Sequence, residues 1–127
     1  MKRYSTRHLW AEEQDGIYTV GLSAYAAEQL GDLEFIELPK PGHTYQQGEA
    51  MGSVESFKTI SEVPSPIQGT VVEINTPLTK VPTLVNLSPE RDGWLARFQN
   101  VDPATFANLL SAEEYQTLLK NKKPSGA

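Results

Sequence analysis

Val54-Glu55-Ser56-Phe57-Lys58-Thr59-Ile60 sets one lysine between an acidic-polar pair and a β-branched run. Gly48 and Gly69 stand at nearly equal distances on either side of Lys58, and each is followed within a few residues by alternating apolar positions. That spacing predicts a β-hairpin whose tip presents Lys58 to solvent. Strands are expected at Ala50 to Val54, Thr59 to Val63 and Thr70 to Ile74, with Pro64-Ser65-Pro66 and Gly69 breaking the pattern between the last two. A lysine on a hairpin tip is most often only a solvated charge that discourages edge pairing. Here it stands in a chain with little other chemistry, which makes an attachment point worth weighing.

The chemistry missing from the chain narrows its function. The sequence has no cysteine, which excludes disulfides, thiolate nucleophiles and zinc-thiolate or iron–sulfur ligation. Its only histidines, His8 and His43, lack metal-ligand spacing, so no metal site is expected. No glycine-rich phosphate loop and no serine on a nucleophile elbow occurs. The reading is therefore a carrier, binding module or structural protein, not an enzyme. Sixteen acidic against eleven basic residues give a net charge of −5, which argues against nucleic acid. No apolar run approaches the roughly 20 residues that cross a bilayer. The basic start, Met1 to Arg7, leads into Glu12 and Glu13 without an apolar stretch, so a secretory signal is not expected and the cytoplasm is the default compartment. At 127 residues one domain is expected, with a core over about 4–119 and a flexible polar tail over 120–127.

Outside the hairpin, Asp15-Gly16 marks a turn and Ile17 to Val20 a strand. Ser23 to Gly31 reads as a short helix, capped by Ser23 and ended by Gly31. A strand over Leu33 to Leu38 stops at Pro39-Lys40-Pro41-Gly42. The proline-punctuated stretch 75–89 reads as loops or edge strands. Gly93 to Phe98 reads as a strand in which Trp94, Ala96 and Phe98 share a face. Asp102-Pro103 opens a helix, and Ser111 with Glu114 forms a capping box before another. His8 and Trp10 read mainly as core packing, Trp94 as a core anchor, Glu12-Glu13 as a solvated acidic patch, and Gly31 and Gly69 as backbone devices. Mostly β with short helices, such a chain must close its strands into a small sandwich or flattened barrel.

The ordered series His8-Leu9-Trp10, Thr19-Val20-Gly21-Leu22-Ser23, Gln29-Leu30-Gly31-Asp32, Phe35-Ile36-Glu37-Leu38-Pro39, Val54 to Thr59, Ser65 to Asn75, Pro82-Thr83-Leu84-Val85-Asn86 and Gly93-Trp94-Leu95 resembles the H proteins of glycine cleavage, a family of lipoyl carriers. The resemblance runs from about Tyr4 to Leu119. It implies a lipoyl-domain-like barrel-sandwich hybrid of two small antiparallel sheets, with a short helix after the first strand and helices at the C-terminus. It further implies lipoic acid in amide linkage to Lys58, with Glu55, Ser56, Phe57 and Thr59 forming the attachment turn. Biotin is the rival group, but its motif places methionines on both sides of the lysine, where this chain has Phe57 and Thr59.

A lipoyl arm would give a cysteine-free chain two borrowed thiols, able to visit several enzymes in turn. The implied partners are a lipoate ligase or an octanoyl or lipoyl transferase, then glycine decarboxylase, aminomethyltransferase and dihydrolipoamide dehydrogenase. A monomer suits such a shuttle. The family's cargo is an aminomethyl group that rests against the protein, and Leu9, Gln29, Leu30 and Glu62 map onto that resting cavity. Two of them depart from the pattern, which has glutamate at Leu9 and aspartate at Glu62. Phe57 and Thr59 likewise replace valine and alanine. Since an unpaired cation is costly to bury, Leu9 leans mildly toward an alternative: an H-like lipoate-binding protein of heterodisulfide-reductase-like sulfur oxidation, or a lipoyl relay. From another class, an unmodified docking module would leave Lys58 bare.

Overall fold

The computed structural model describes residues 1–121. Among the described residues nine strands form two antiparallel sheets. The larger contains β1 (Lys2–Tyr4), β2 (Leu9–Gln14), β3 (Ile17–Leu22), β5 (Thr44–Tyr45), β8 (Gly69–Ile74) and β9 (Ala96–Gln99), in the order β1-β2-β3-β9-β8-β5. The smaller is β4 (Leu33–Glu37), β6 (Ala50–Ser56) and β7 (Ile60–Pro64), with β6 in the middle. Both sheets contribute to one apolar core, including Leu9, Val20 and Phe98 from the larger and Ile36, Val54 and Val63 from the smaller. This is the expected barrel-sandwich hybrid, with its sheets unequal in size.

Local chemistry explains most boundaries. Asp15 and Gly16, at φ 52° and 82°, form the two-residue turn between Gln14 and Ile17 that right-twisted hairpin strands favour. Helix α1 (Ala24–Leu30) is capped by the Ser23 hydroxyl, which accepts from the Ala26 amide at 3.1 Å. It ends at Gly31, whose φ of 77° suits a residue without a Cβ. Gly69 serves a different purpose: an added Cβ would stand 2.8 Å from the Val101 side chain, so its hydrogen lets two segments approach. Asp102 caps α3 (Pro103–Ala107), and Ser111 and Glu114 reciprocate at 3.1 and 2.9 Å ahead of α4 (Ala112–Asn121).

Several expectations need correction. Two strands precede Ile17, so α1 follows the third strand and not the first. In β2, residues Leu9, Trp10 and Ala11 are all buried, so the face alternation that signals a strand is absent there. The stretch 75–89 holds neither edge strands nor plain loop: it forms a 3-10 turn (Thr76–Thr79) and a short helix α2 (Leu84–Leu87). Pro77 and Pro82 sit at or just ahead of the helical starts, where a missing N–H costs nothing, and Pro89 follows the end of α2. The last strand begins at Ala96, and Leu95 and Ala96 are buried in succession. Trp94 is accordingly no core anchor. It is half-buried and carries the Arg97 guanidinium 4.0 Å above its ring. Of the expected tail, Lys120 and Asn121 complete α4, and the rest lies outside the described residues.

Candidate functional site

Lys58 occupies the end of the β6–β7 hairpin. Glu55 and Ile60 are the last paired residues, leaving Ser56 to Thr59 as the connection. The Ser56 amide donates to the Thr59 carbonyl at 2.9 Å, and the Lys58 amide donates to the Ser56 hydroxyl at 3.2 Å. Ser56 is buried, whereas Phe57, Lys58 and Thr59 are exposed. A serine anchored in the sheet thus braces the turn from inside while the next three side chains face solvent. Thr59, expected in the strand, belongs to the turn.

The Lys58 side chain leans over the C-terminal end of α1. Its Cε lies 3.2 Å, and its Nζ 3.6 Å, from where a Cβ would stand on Gly31. The α1–β4 corner beneath it is tied by Asn86. The Asn86 amide nitrogen donates to the Gly31 carbonyl at 2.8 Å and the Ala27 carbonyl at 3.4 Å, and its oxygen accepts from the Leu33 amide at 2.9 Å. Neither Gly31 nor Asn86 was distinguishable as part of the site in the sequence, because Gly31 acts through its backbone and the Asn86 side chain through backbone groups more than fifty residues away.

Next to this corner a cleft of about 200 Å³ runs between α1 and β7, the edge strand of the small sheet. Leu9, Gln29, Leu30 and Glu62 all line it. Leu9 is buried at its floor, Leu30 half-buried, and Gln29 and Glu62 exposed at its rim. The remaining floor is apolar, from Leu22, Ala26, Val54 and Val63.

Arg7, His8, Tyr25 and Ser61, which sequence reasoning left out of the site, also border the cleft. His8 has φ 72°, its ring lies 4.7 Å from that of Tyr25, and its Nδ1 is 2.8 Å from the Tyr115 hydroxyl. That hydroxyl is 2.7 Å from Ser23 Oγ, so the cap of α1, the edge of the cleft and α4 share one polar chain. Burial pushes the Tyr115 phenol up, partly opposed by its Ser23 hydrogen bond. Tyr4 stacks on Tyr115 at 4.4 Å and is also raised, by burial and then by its 2.6 Å hydrogen bond to Glu90. Trp10 is core packing as expected, with its indole N–H donating to the Pro89 carbonyl at 3.0 Å. The i, i+1, i+4, i+5 set Tyr25, Ala26, Gln29 and Leu30 on one face of α1 was the available signal for the cleft wall.

An exposed lysine on a braced turn, beside a cleft with an apolar floor, is the geometry of a carrier domain that presents an attachment point. The sequence profile of the glycine cleavage H-protein family matches residues 2–122. Similar proteins include the glycine cleavage system H protein of Listeria monocytogenes serotype 4a, 39% identical over 116 residues, covering 91% of this chain and 93% of that one. That of Alcanivorax borkumensis is 41% identical over 120 residues, covering 94% of each. The mitochondrial H protein of Pisum sativum is 41% identical over 113 residues, covering 89% of this chain and 68% of that one. The crystal structure of a glycine cleavage system H protein from Mycobacterium marinum superposes with a TM-score of 0.85 at 35% identity, covering 94% and 96% of the two chains. This chain belongs to the glycine cleavage H-protein family, whose members are non-catalytic lipoyl carriers. Among the described residues no cluster suits a metal ion, and no helix is long and apolar enough to cross a membrane.

Proposed function

We propose that Lys58 bears the lipoyl group, joined through Nζ as an amide, and that the chain is the arm-bearing component of glycine cleavage. The carrying observation is Lys58 itself: it projects from a braced turn and leans over Gly31, the residue after Leu30 of the cleft wall. The cleft suits the group. Four residues of β7, Ser61 to Pro64, line it over roughly 10 Å at the usual rise, and its floor is hydrocarbon. When bound, lipoate supplies a dithiolane that can be opened to two thiols.

The protein's own residues hold and shield. Glu55, Ser56, Phe57 and Thr59 frame the attachment turn. Leu9 and Leu30 exclude water from the cleft floor, while Gln29 and Glu62 offer an amide and a carboxylate at its rim. Glu62 is the carboxylate available to a cationic cargo there, and Leu9 provides none.

The proposed partners are a lipoate ligase or an octanoyl or lipoyl transferase for attachment, then glycine decarboxylase, aminomethyltransferase and dihydrolipoamide dehydrogenase. The cytoplasm is the proposed compartment and a monomer the proposed state. The sulfur-oxidation alternative is not favoured, because the similar proteins carry the glycine cleavage name.

The test is the intact mass of the protein from its native host, with fragmentation to locate any modification. A lipoyl mass on Lys58 is expected, and Lys58→Arg should remove it without unfolding the chain. A bare Lys58, in a host that lipoylates its other carriers, overturns the reading in favour of a docking module.

A further inference from the structure

The outer face of the small sheet extends beyond the turn and the cleft, and Phe35, Glu37 and Ile60 on it serve neither. Strand pairing sets Phe35, Glu55 and Ile60 in one row across β4, β6 and β7. Phe35 is 57% exposed and Ile60 70%, and Phe57 at the adjoining tip is 81% exposed. Large apolar side chains gathered at one hairpin end, and not scattered singly, mark an interaction site.

Charge surrounds them. Glu55 stands between Phe35 and Ile60. The next row on the same face is Glu37, Ser53 and Glu62, with Ser53 Oγ 3.4 Å from Glu37 Oε1. Glu34 is exposed beside Phe35. The two ion pairs among the described residues, Lys2–Glu90 and Arg97–Glu73, use none of these carboxylates. The face is an apolar centre with an acidic border.

We propose that this face docks the enzyme that acylates Lys58, and that the enzyme offers an apolar recess inside a basic rim. The inference rests on the reading that Lys58 is acylated. Reach selects the occupant. Acylation forms the bond between Nζ and the acyl carbonyl carbon. It breaks that carbon's bond to its leaving group, in an acyl-adenylate or acyl thioester, and passes the lysine proton to a base of the partner. The reacting atom is therefore one lysine side chain from the turn, so Phe57 falls inside the enzyme's footprint. An enzyme working at the far end of an attached arm stands off by the arm's length and need not cover this face. The carboxylates fit a basic rim, which would steer the encounter and make it sensitive to salt.

The experiment is acylation of the full unmodified chain by its host's attaching enzyme with an activated lipoyl or octanoyl donor, followed by intact mass. Phe57→Ser combined with Phe35→Ser is expected to raise KM for this protein roughly tenfold, with kcat nearly unchanged and the unfolding midpoint preserved. Glu34→Gln with Glu37→Gln is expected to flatten the salt dependence of kcat/KM. Val72→Ser, which removes an exposed apolar side chain on β8 in the other sheet, should change neither. Unaltered KM and salt slope in the variants, with the wild type acylated, overturn the docking face alone. A wild type left unmodified, while the same enzyme acylates another carrier, overturns the carrier reading beneath it. A concentration-dependent dimer abolished by Phe57→Ser assigns the face to a second copy and also overturns the proposal.

Discussion

The β2–β3 and β6–β7 hairpins close in opposite ways. At the first, Asp15 and Gly16 adopt left-handed φ values, and the Gly16 amide donates to the Glu13 carboxylate at 2.8 Å. Its residues choose the turn themselves. At the second, Ser56 to Thr59 include no glycine and no positive φ, and an exposed phenylalanine sits beside an exposed lysine. That turn is held by a buried serine and by the sheet behind it. A hairpin that only closes a sheet can be built from turn residues. One that must present a lysine to other proteins keeps its exposed positions for contact and draws its rigidity from its base.

Trp10 is buried in β2 directly opposite Gly21, whose absent side chain makes room for the indole. Trp10→Ala is expected to cost about 3–5 kcal/mol, read as a lower urea midpoint, and to disturb both hairpins. A smaller loss is expected at alkaline pH. Tyr4 and Tyr115 have phenols raised in the folded state, so the stability they confer is complete below their unfolded pKa of about 10. It is lost as pH rises through and beyond that value. Thermal unfolding measured from pH 8 to 11 should show a midpoint that holds and then falls, and Tyr4→Phe should shallow the fall.

Gly16→Ala, forced to keep a positive φ, is expected to cost about 1–2 kcal/mol and should leave acylation of Lys58 unchanged. Ser56→Ala should cost about 1 kcal/mol by removing a hydroxyl acceptor. It should also speed hydrogen exchange at the Lys58 amide and slow acylation. Lys58→Ala at the exposed tip should lie within about 0.5 kcal/mol of wild type, yet lose the modification altogether. If Gly16→Ala impaired acylation as much as Ser56→Ala, the proposed division between a self-specified and a supported turn would fail.

The hairpin at Lys58, the caps of α1, α3 and α4, and the two-sheet class were legible because each rests on local signals: strand propensity, turn residues, capping side chains and an ordered series of family motifs. Strand β2 was not, since both its faces are covered over Leu9 to Ala11 and the alternation is erased there. The helical turns within 75–89 were also missed. Tertiary hydrogen bonds organise that stretch, such as those from the Asn75 amide nitrogen to the Asp92 and Trp94 carbonyls, both 2.8 Å. Leu9, Gln29, Leu30 and Glu62 were picked out by resemblance, and that they border one cleft is a fact of packing.

By itself the sequence determined what the chain could not be and where its presented lysine lies. Absent cysteines remove whole classes of chemistry, and a tip lysine between two strands needs only nearest-neighbour rules. Only the tertiary structure decided what surrounds that lysine: Gly31 and Asn86 beneath it, a cleft beside it, and an apolar face with an acidic border behind it. These are contacts between residues far apart in the chain, made by the register of the small sheet and by the packing of α1 against α2. Local propensity carries no information about either.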